Sequence, residues 1–145
     1  MSELPDVESL YRLDNKVCVV TGASSGFGDR FARVLSAAGA KVVVAARRQD
    51  RLERLVAELP DALAIQCDVR DDDQCRHLIA ESISHYGQID VLVNNAGITD
   101  AIHPAEEANI DLFRSVVDVN LNSCFLLSAL AAQDMLSRQE GSIIN

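Results

Sequence analysis

Tryptophan is absent from this chain of 145 residues, and aromatic rings are few: two tyrosines and four phenylalanines. So few rings leave little surface on which nucleic-acid bases could stack. A formal net charge of −9 also opposes contact with phosphate backbones. The four cysteines, Cys18, Cys67, Cys75 and Cys124, form no CxxC pair, and no histidine stands at a zinc-ligand spacing from them. They read as reduced, mostly buried thiols rather than disulfides or metal ligands. No apolar run approaches the length of a membrane span. Residues 1–6, MSELPD, lack the basic and apolar regions of a secretory leader. These absences lead us to expect a soluble, cytoplasmic protein with no nucleic-acid, membrane or metal partner. Internal repeats, low-complexity tracts and a second domain are lacking too. The remainder, 48% hydrophobic and 24% charged, suits one globular core.

Residues 1–14 show no clear period and read as an N-terminal extension; residues 15–145 read as one domain. Within it, short apolar runs alternate with helical patterns. Strands are predicted at 16–21, 41–46, 63–67, 89–93 and 142–145. A first helix carries Phe27, Phe31, Val34, Leu35 and Ala38 on one face and ends at Gly39. A second, with Leu52, Leu55, Val56 and Leu59, stops at Pro60. A third spans 71–86, with Cys75, Leu78, Ile79, Ile83 and Tyr86 facing inward. Its opening Asp71-Asp72-Asp73 reads as a helix cap rather than a metal site. A long helical region runs from about 109 to 139, with Phe113, Val116, Val117, Leu127 and Leu130 on an apolar face. Strands apolar throughout need cover on both faces, which indicates a parallel sheet wrapped by helices. The expected fold is therefore α/β, a doubly wound, Rossmann-type parallel sheet of strand order 3-2-1-4-5.

The most telling stretch is TGASSGFG, residues 21–28, between the first strand and the first helix. A strand, a glycine-rich turn and a helix form the first unit of a dinucleotide-binding fold. Gly22 suits a tight turn, Gly26 a close approach of backbone to a pyrophosphate, and Gly28 close packing of the helix. The first amides of the helix then face an anion, with Ser24 and Ser25 as added donors.

At the end of the second strand, where an NAD site usually places an acid, stand Arg47 and Arg48. A guanidinium can hold a 2′-phosphate bidentately, whereas an acid would repel it. NADP(H) is therefore preferred, with NAD(H) as the alternative cofactor. The plainer alternative makes Arg47 and Arg48 solvated charges opening a helix. After the third strand, Asp68 and Val69 offer a carboxylate and a backbone amide suited to adenine. After the fourth, Asn94-Asn95-Ala96-Gly97 combines small residues, which admit a ribose, with amides that tie strands together. His77 and His85 fall on the third helix, away from this edge, while His103 lies in the loop after Gly97, on the side where a substrate would approach.

TGASSGFG, Cys67-Asp68-Val69, Asn94-Asn95-Ala96-Gly97 and Val119-Asn120-Leu121 occur in the order and spacing of the short-chain dehydrogenases/reductases, and over residues 16–145 the chain resembles that family. The resemblance implies that Gly22, Ser24, Ser25, Gly26, Phe27 and Gly28 wrap the pyrophosphate and its riboses, and that Arg47 meets the 2′-phosphate. It implies that Asp68 and Val69 hold adenine, that Asn95, Ala96 and Gly97 line the nicotinamide ribose, and that Val119 lies beside the cofactor. Asn94 is implied to be structural. Asn120 matches the family's catalytic Asn, expected to hold a water in a proton relay, with its carbonyl freed by a helix irregularity. The implied activity is hydride transfer between nicotinamide and a carbonyl or secondary alcohol, for example a 3-oxoacyl, steroid or other ketone. The implied assembly is a homodimer or homotetramer through the long helix.

The family's catalytic Ser and Tyr-x-x-x-Lys are not found. Neither Tyr11 nor Tyr86 has a Lys four residues later, and Ser142 precedes the position of the catalytic Ser. We therefore expect the chain to be the cofactor-binding segment of a longer enzyme. The rival expectation is a non-catalytic nucleotide-binding member of the same fold, acting as sensor or scaffold.

Overall fold

The structure, a computed structural model, describes residues 9–99 and 104–145. Part of the N-terminal extension and His103 lie outside the described residues. Five strands, β1 (Val17–Thr21), β2 (Lys41–Ala46), β3 (Ala62–Gln66), β4 (Val91–Val93) and β5 (Ser142–Ile144), form one sheet. Their order is β3-β2-β1-β4-β5, and every neighbouring pair is parallel. Helices α1 (Gly26–Ala37), α2 (Gln49–Ala57) and α3 (Asp72–Tyr86) follow the first three strands in turn. Helices α4 (Ile110–Val117) and α5 (Ser123–Arg138) are joined through a π turn, Asp118–Asn122.

Strand alternation divides the core in two. Val17, Val19, Val43 and Ala45 face a cluster built with Leu78 and Ile79 of α3 and Leu127, Ala131 and Met135 of α5. Cys18, Val20, Val42 and Val44 face the opposite cluster, with Ala32 of α1 and Leu52 and Leu55 of α2. All of β1 is buried, as a central strand covered on both faces must be. The three residues of β5 are exposed.

Helix α1 differs from expectation. Phe27 (78% exposed), Phe31 and Val34 face outward, and the side against the sheet is Gly28, Ala32 and Ser36, with Leu35 partly packed. Small residues let the helix settle close to the strands, so the longest apolar side chains do not mark its inner face. The long helix differs for another reason. Its π turn adds a residue to one turn, so the faces before and after it are out of the register that an unbroken 3.6-residue period gives. Phe113 is exposed although Leu127 is buried. At 29 residues, Ile110–Arg138 is also long and apolar enough to cross a membrane by length and composition, although polar residues break its apolar runs. Here one side of it lies on the sheet, and Asp118, Asn120 and Asn122 interrupt its middle.

At the amino edge of the sheet the buried Asp90 carboxylate ties elements together. Val17 N–H (2.8 Å), Gln88 Nε2 (2.7 Å) and Arg138 Nη1 (3.1 Å) donate to it, with Lys16 Nζ at 3.9 Å. Burial pushes the Asp90 carboxyl up, but the Val17 N–H, the Gln88 amide and the two cations outweigh it and hold the group below its ordinary value. A depressed folded-state value means stability that is present above the unfolded carboxylate range and lost as pH falls through the folded one. Asp90→Asn is therefore expected to lower unfolding stability at pH 7 by about 2 kcal/mol. The gap from the natural protein should close below about pH 4, measured by urea unfolding across pH.

Candidate functional site

The site is built where β1 and β4 end side by side. Thr21 Oγ1 donates to Val93 O (3.3 Å) and accepts from Asn95 N–H and Ala96 N–H, each at 3.0 Å. Asn95 Nδ2 returns a bond to Thr21 O at 2.9 Å. The turn after β1 is thereby fixed against the loop after β4. Gly22 has φ +68°, and a Cβ there would meet Ala96 Cα at 2.8 Å. A Cβ on Gly28 would lie 2.4 Å from Gly22 O, so the start of α1 sits directly on the turn.

A crevice of about 320 Å³ opens above this junction. Gly22, Ser24, Ser25, Phe27, Arg47, Arg48, Asp68, Val69, Asn95, Ala96, Gly97 and Val119 of the expected residues line it. Gly26 and Gly28 are not part of that lining. Gly26 takes φ +61° at the first position of α1, and Gly28 is buried on the turn. Asn120 is latched to the loop after Gly97: its Nδ2 donates to Ile98 O (2.8 Å) and its Oδ1 accepts from Ile98 N–H (2.9 Å). The expected helix irregularity is present as the π turn. There Ser123 N–H bonds Asp118 O, five residues back, and Ser123 Oγ bonds Val119 O at 2.6 Å.

Electrostatics distinguish one end of the crevice. Helices α3 and α4 are capped by their own side chains, Asp71 and Asn109. The three aspartates at the start of α3 thus act as the cap and first turn of a helix. Ser25, at the N-cap of α1, makes no such bond, and its hydroxyl instead accepts from Arg48 Nη2 at 2.8 Å. Arg48 also reaches Ser24 Oγ, with Nη2 at 2.8 Å. The amides opening α1 are left for another acceptor, with a guanidinium over them, an arrangement that attracts an anion. Arg47 lines the same rim, its carbonyl held by Gln66 Nε2 at 2.9 Å.

At the other end, Arg70 forks onto Asp68 and, by that bond first, holds its carboxyl below the ordinary carboxylate range. Cys67 and Cys75 lie in contact behind it, where the neighbouring thiol and burial push Cys67 up. All four cysteines are free thiols, three of them buried. His77 and His85 are exposed on α3, away from the crevice. Sequence reasoning missed Thr21 and Arg70. Thr21 reads as the last residue of a strand, and Arg70 was not singled out, though its place two residues after Asp68 was a usable signal.

A short chain dehydrogenase family profile matches residues 16–145. Zerumbone synthase of Zingiber zerumbet is 37% identical over 139 residues, covering 92% of this chain and 52% of that protein. The NADP-dependent 3-hydroxy acid dehydrogenase YdfG of Shigella flexneri is 35% identical over 130 residues, covering 89% and 52%. Among solved structures, a short-chain type dehydrogenase/reductase from Mycobacterium marinum superposes with a TM-score of 0.90 at 34% identity, covering 96% of this chain and 58% of that one. The chain spans about half the length of the relatives it matches.

Thr21→Val keeps the shape of the side chain and removes the acceptor for two amides. It is expected to lower stability by about 1–3 kcal/mol, whereas Thr21→Ser stays within about 1 kcal/mol of the natural protein, as read by denaturant unfolding.

Proposed function

The chain belongs to the short-chain dehydrogenase family, and on that premise we propose that it forms the NADP(H)-binding part of an oxidoreductase acting on a carbonyl or secondary-alcohol substrate. The observation that carries the cofactor reading is Arg48 bridging Ser24 and Ser25 over the uncapped start of α1, with Arg47 on the same rim. Two guanidiniums beside free helix amides suit one phosphate on the helix and a second, the 2′-phosphate, at the end of β2. YdfG, named as NADP-dependent, gives the same preference from a relative.

The residues present fit the whole group. Gly22 and Gly28 let the turn pack against Asn95 and Ala96, where a Cβ would push the walls of the cradle apart. The Asp68 N–H is taken by Gln74 Oε1, so Asp68 supplies the carboxylate and Val69 the amide for adenine. Asn95, Ala96 and Gly97 bound the space for the nicotinamide ribose, with Val119 on the wall beside them. The cofactor, when bound, supplies the carbon that carries the hydride. Asn120 is the residue of this chain assigned to proton handling. Its side chain is committed to Ile98, so a water in its relay would be held by its backbone carbonyl, beside the π turn. A homodimer or homotetramer is part of the reading: Leu121, Phe125 and Leu136 stand exposed along the long helix and suit pairing with its copy.

Arg47→Asp is expected to weaken NADPH binding by roughly 10- to 100-fold while NADH binding changes by less than about threefold, measured by fluorescence titration of the reduced nucleotides. Equal losses would overturn the 2′-phosphate assignment. Phe125→Asp is expected to shift the protein toward monomer in sedimentation velocity, since a buried unpaired carboxylate opposes association. An unchanged sedimentation coefficient would remove that helix from the interface.

A further inference from the structure

We propose that Arg70 is a positioning residue that aims the Asp68 carboxylate at the amino group of adenine and so sets the protein's preference for that base. The inference rests on the nucleotide reading of the crevice given above and deepens it. Asp68 is held at its backbone and at its carboxylate. Its N–H donates to Gln74 Oε1 at 2.9 Å, and Gln74 is itself fixed by Asp71, through Gln74 Nε2 (2.9 Å) and Gln74 N–H (3.1 Å). The backbone at 68 is therefore pinned to the first turn of α3.

Among the described residues, Arg70 alone hydrogen-bonds the carboxylate. Oδ1 accepts from Arg70 N–H and Arg70 Nε, both at 3.1 Å. Oδ2 accepts from Arg70 Nη2 at 2.6 Å, with a longer share of Nε at 3.3 Å. A carboxylate has about four acceptor positions. Arg70 brings three hydrogens to that of Asp68, the backbone N–H, Nη2–H and an Nε–H shared between the two oxygens, leaving about one acceptor position on a residue that lines the crevice. One acceptor matches one N–H of an exocyclic amine. It repels a carbonyl oxygen in the same place, as hypoxanthine would present.

The Arg70 side chain is about half exposed. It lines the crevice on one side and on the other a hollow whose far wall carries Asp118 and Asn122 of the π turn. Without the guanidinium, the Asp68 side chain regains its rotamers and turns toward water, and the base loses its discriminating contact.

The test compares NADPH with its hypoxanthine analogue, both titrated onto the full-length protein, its Arg70→Ala and Arg70→Lys variants, Asp68→Ala, and the double variant Asp68→Ala with Arg70→Ala. The natural protein is expected to favour NADPH over the analogue by at least about tenfold. Arg70→Ala should lower that ratio about fivefold or more, mostly by weakening NADPH, and Arg70→Lys should restore part of it. In the double variant the Arg70 change should have no further effect, because it acts through Asp68. A ratio unmoved in Arg70→Ala, while the natural protein binds NADPH, overturns the role of Arg70 and leaves the crevice assignment standing. Failure of the natural protein to bind either nucleotide overturns the crevice assignment and this inference with it.

Discussion

The structure depends on how closely two parallel strands can bring the loops that follow them. At the ends of β1 and β4, one hydroxyl, Thr21 Oγ1, serves Val93 O, Asn95 N–H and Ala96 N–H together. The loops then diverge, one into α1 and the other over the long helix, and a crevice must open between them. Its floor has no slack, since a methyl group at Gly22 or Gly28 would fall inside the van der Waals contacts of Ala96, Asn95 or Gly22 itself. The relative position of the two loops is therefore fixed before any ligand arrives.

Charge is distributed against the average of the chain. The protein carries −9 overall, yet Arg47, Arg48 and Arg70 all line one crevice. Arg70 is neutralised by Asp68, while Arg48 rests on hydroxyls, which accept its hydrogen bonds without cancelling its charge. The net positive potential thus collects at the α1 end, where helix amides add to it, and the β3 end offers a neutral pair with one open acceptor. An elongated ligand with phosphates at one end and a hydrogen-bonding base at the other is oriented by that asymmetry alone.

The sheet was almost fully legible in the sequence, because strands buried on both faces are unbroken apolar runs bounded by glycine or charge. Most of the crevice lining was legible because it sits at strand ends, where the chain must turn, whereas Val119, on the long helix, came only from the family resemblance. What was not legible came from packing distance and helix register. The Phe27, Phe31 and Val34 stripe looked like an inner face because apolar size was taken for burial, whereas closeness to the sheet selected Gly28, Ala32 and Ser36. Thr21 and Arg70 were missed because their partners, Asn95 and Asp68, are defined by the fold or by a tight turn, not by any periodicity.

The π turn explains why one helix can serve three surroundings. A uniform helix through residues 110–138 would keep one continuous stripe toward the sheet. The wider turn shifts the register, so that the stripe after it need not continue the one before. Val119 remains buried at the crevice wall, Asn120 reaches sideways to grip Ile98, and Leu121 and Phe125 turn outward. Downstream, the register recovers so that Leu127, Ala131 and Met135 cover the sheet. Widening a turn gives up regular hydrogen bonding, and the hydroxyl of Ser123 offsets part of that loss by bonding Val119 O. The buried Ser123 thus satisfies a carbonyl at the turn, and Val119, Asn120 and Leu121, successive residues on it, meet the crevice wall, the Ile98 loop and the exterior while the core beneath stays packed.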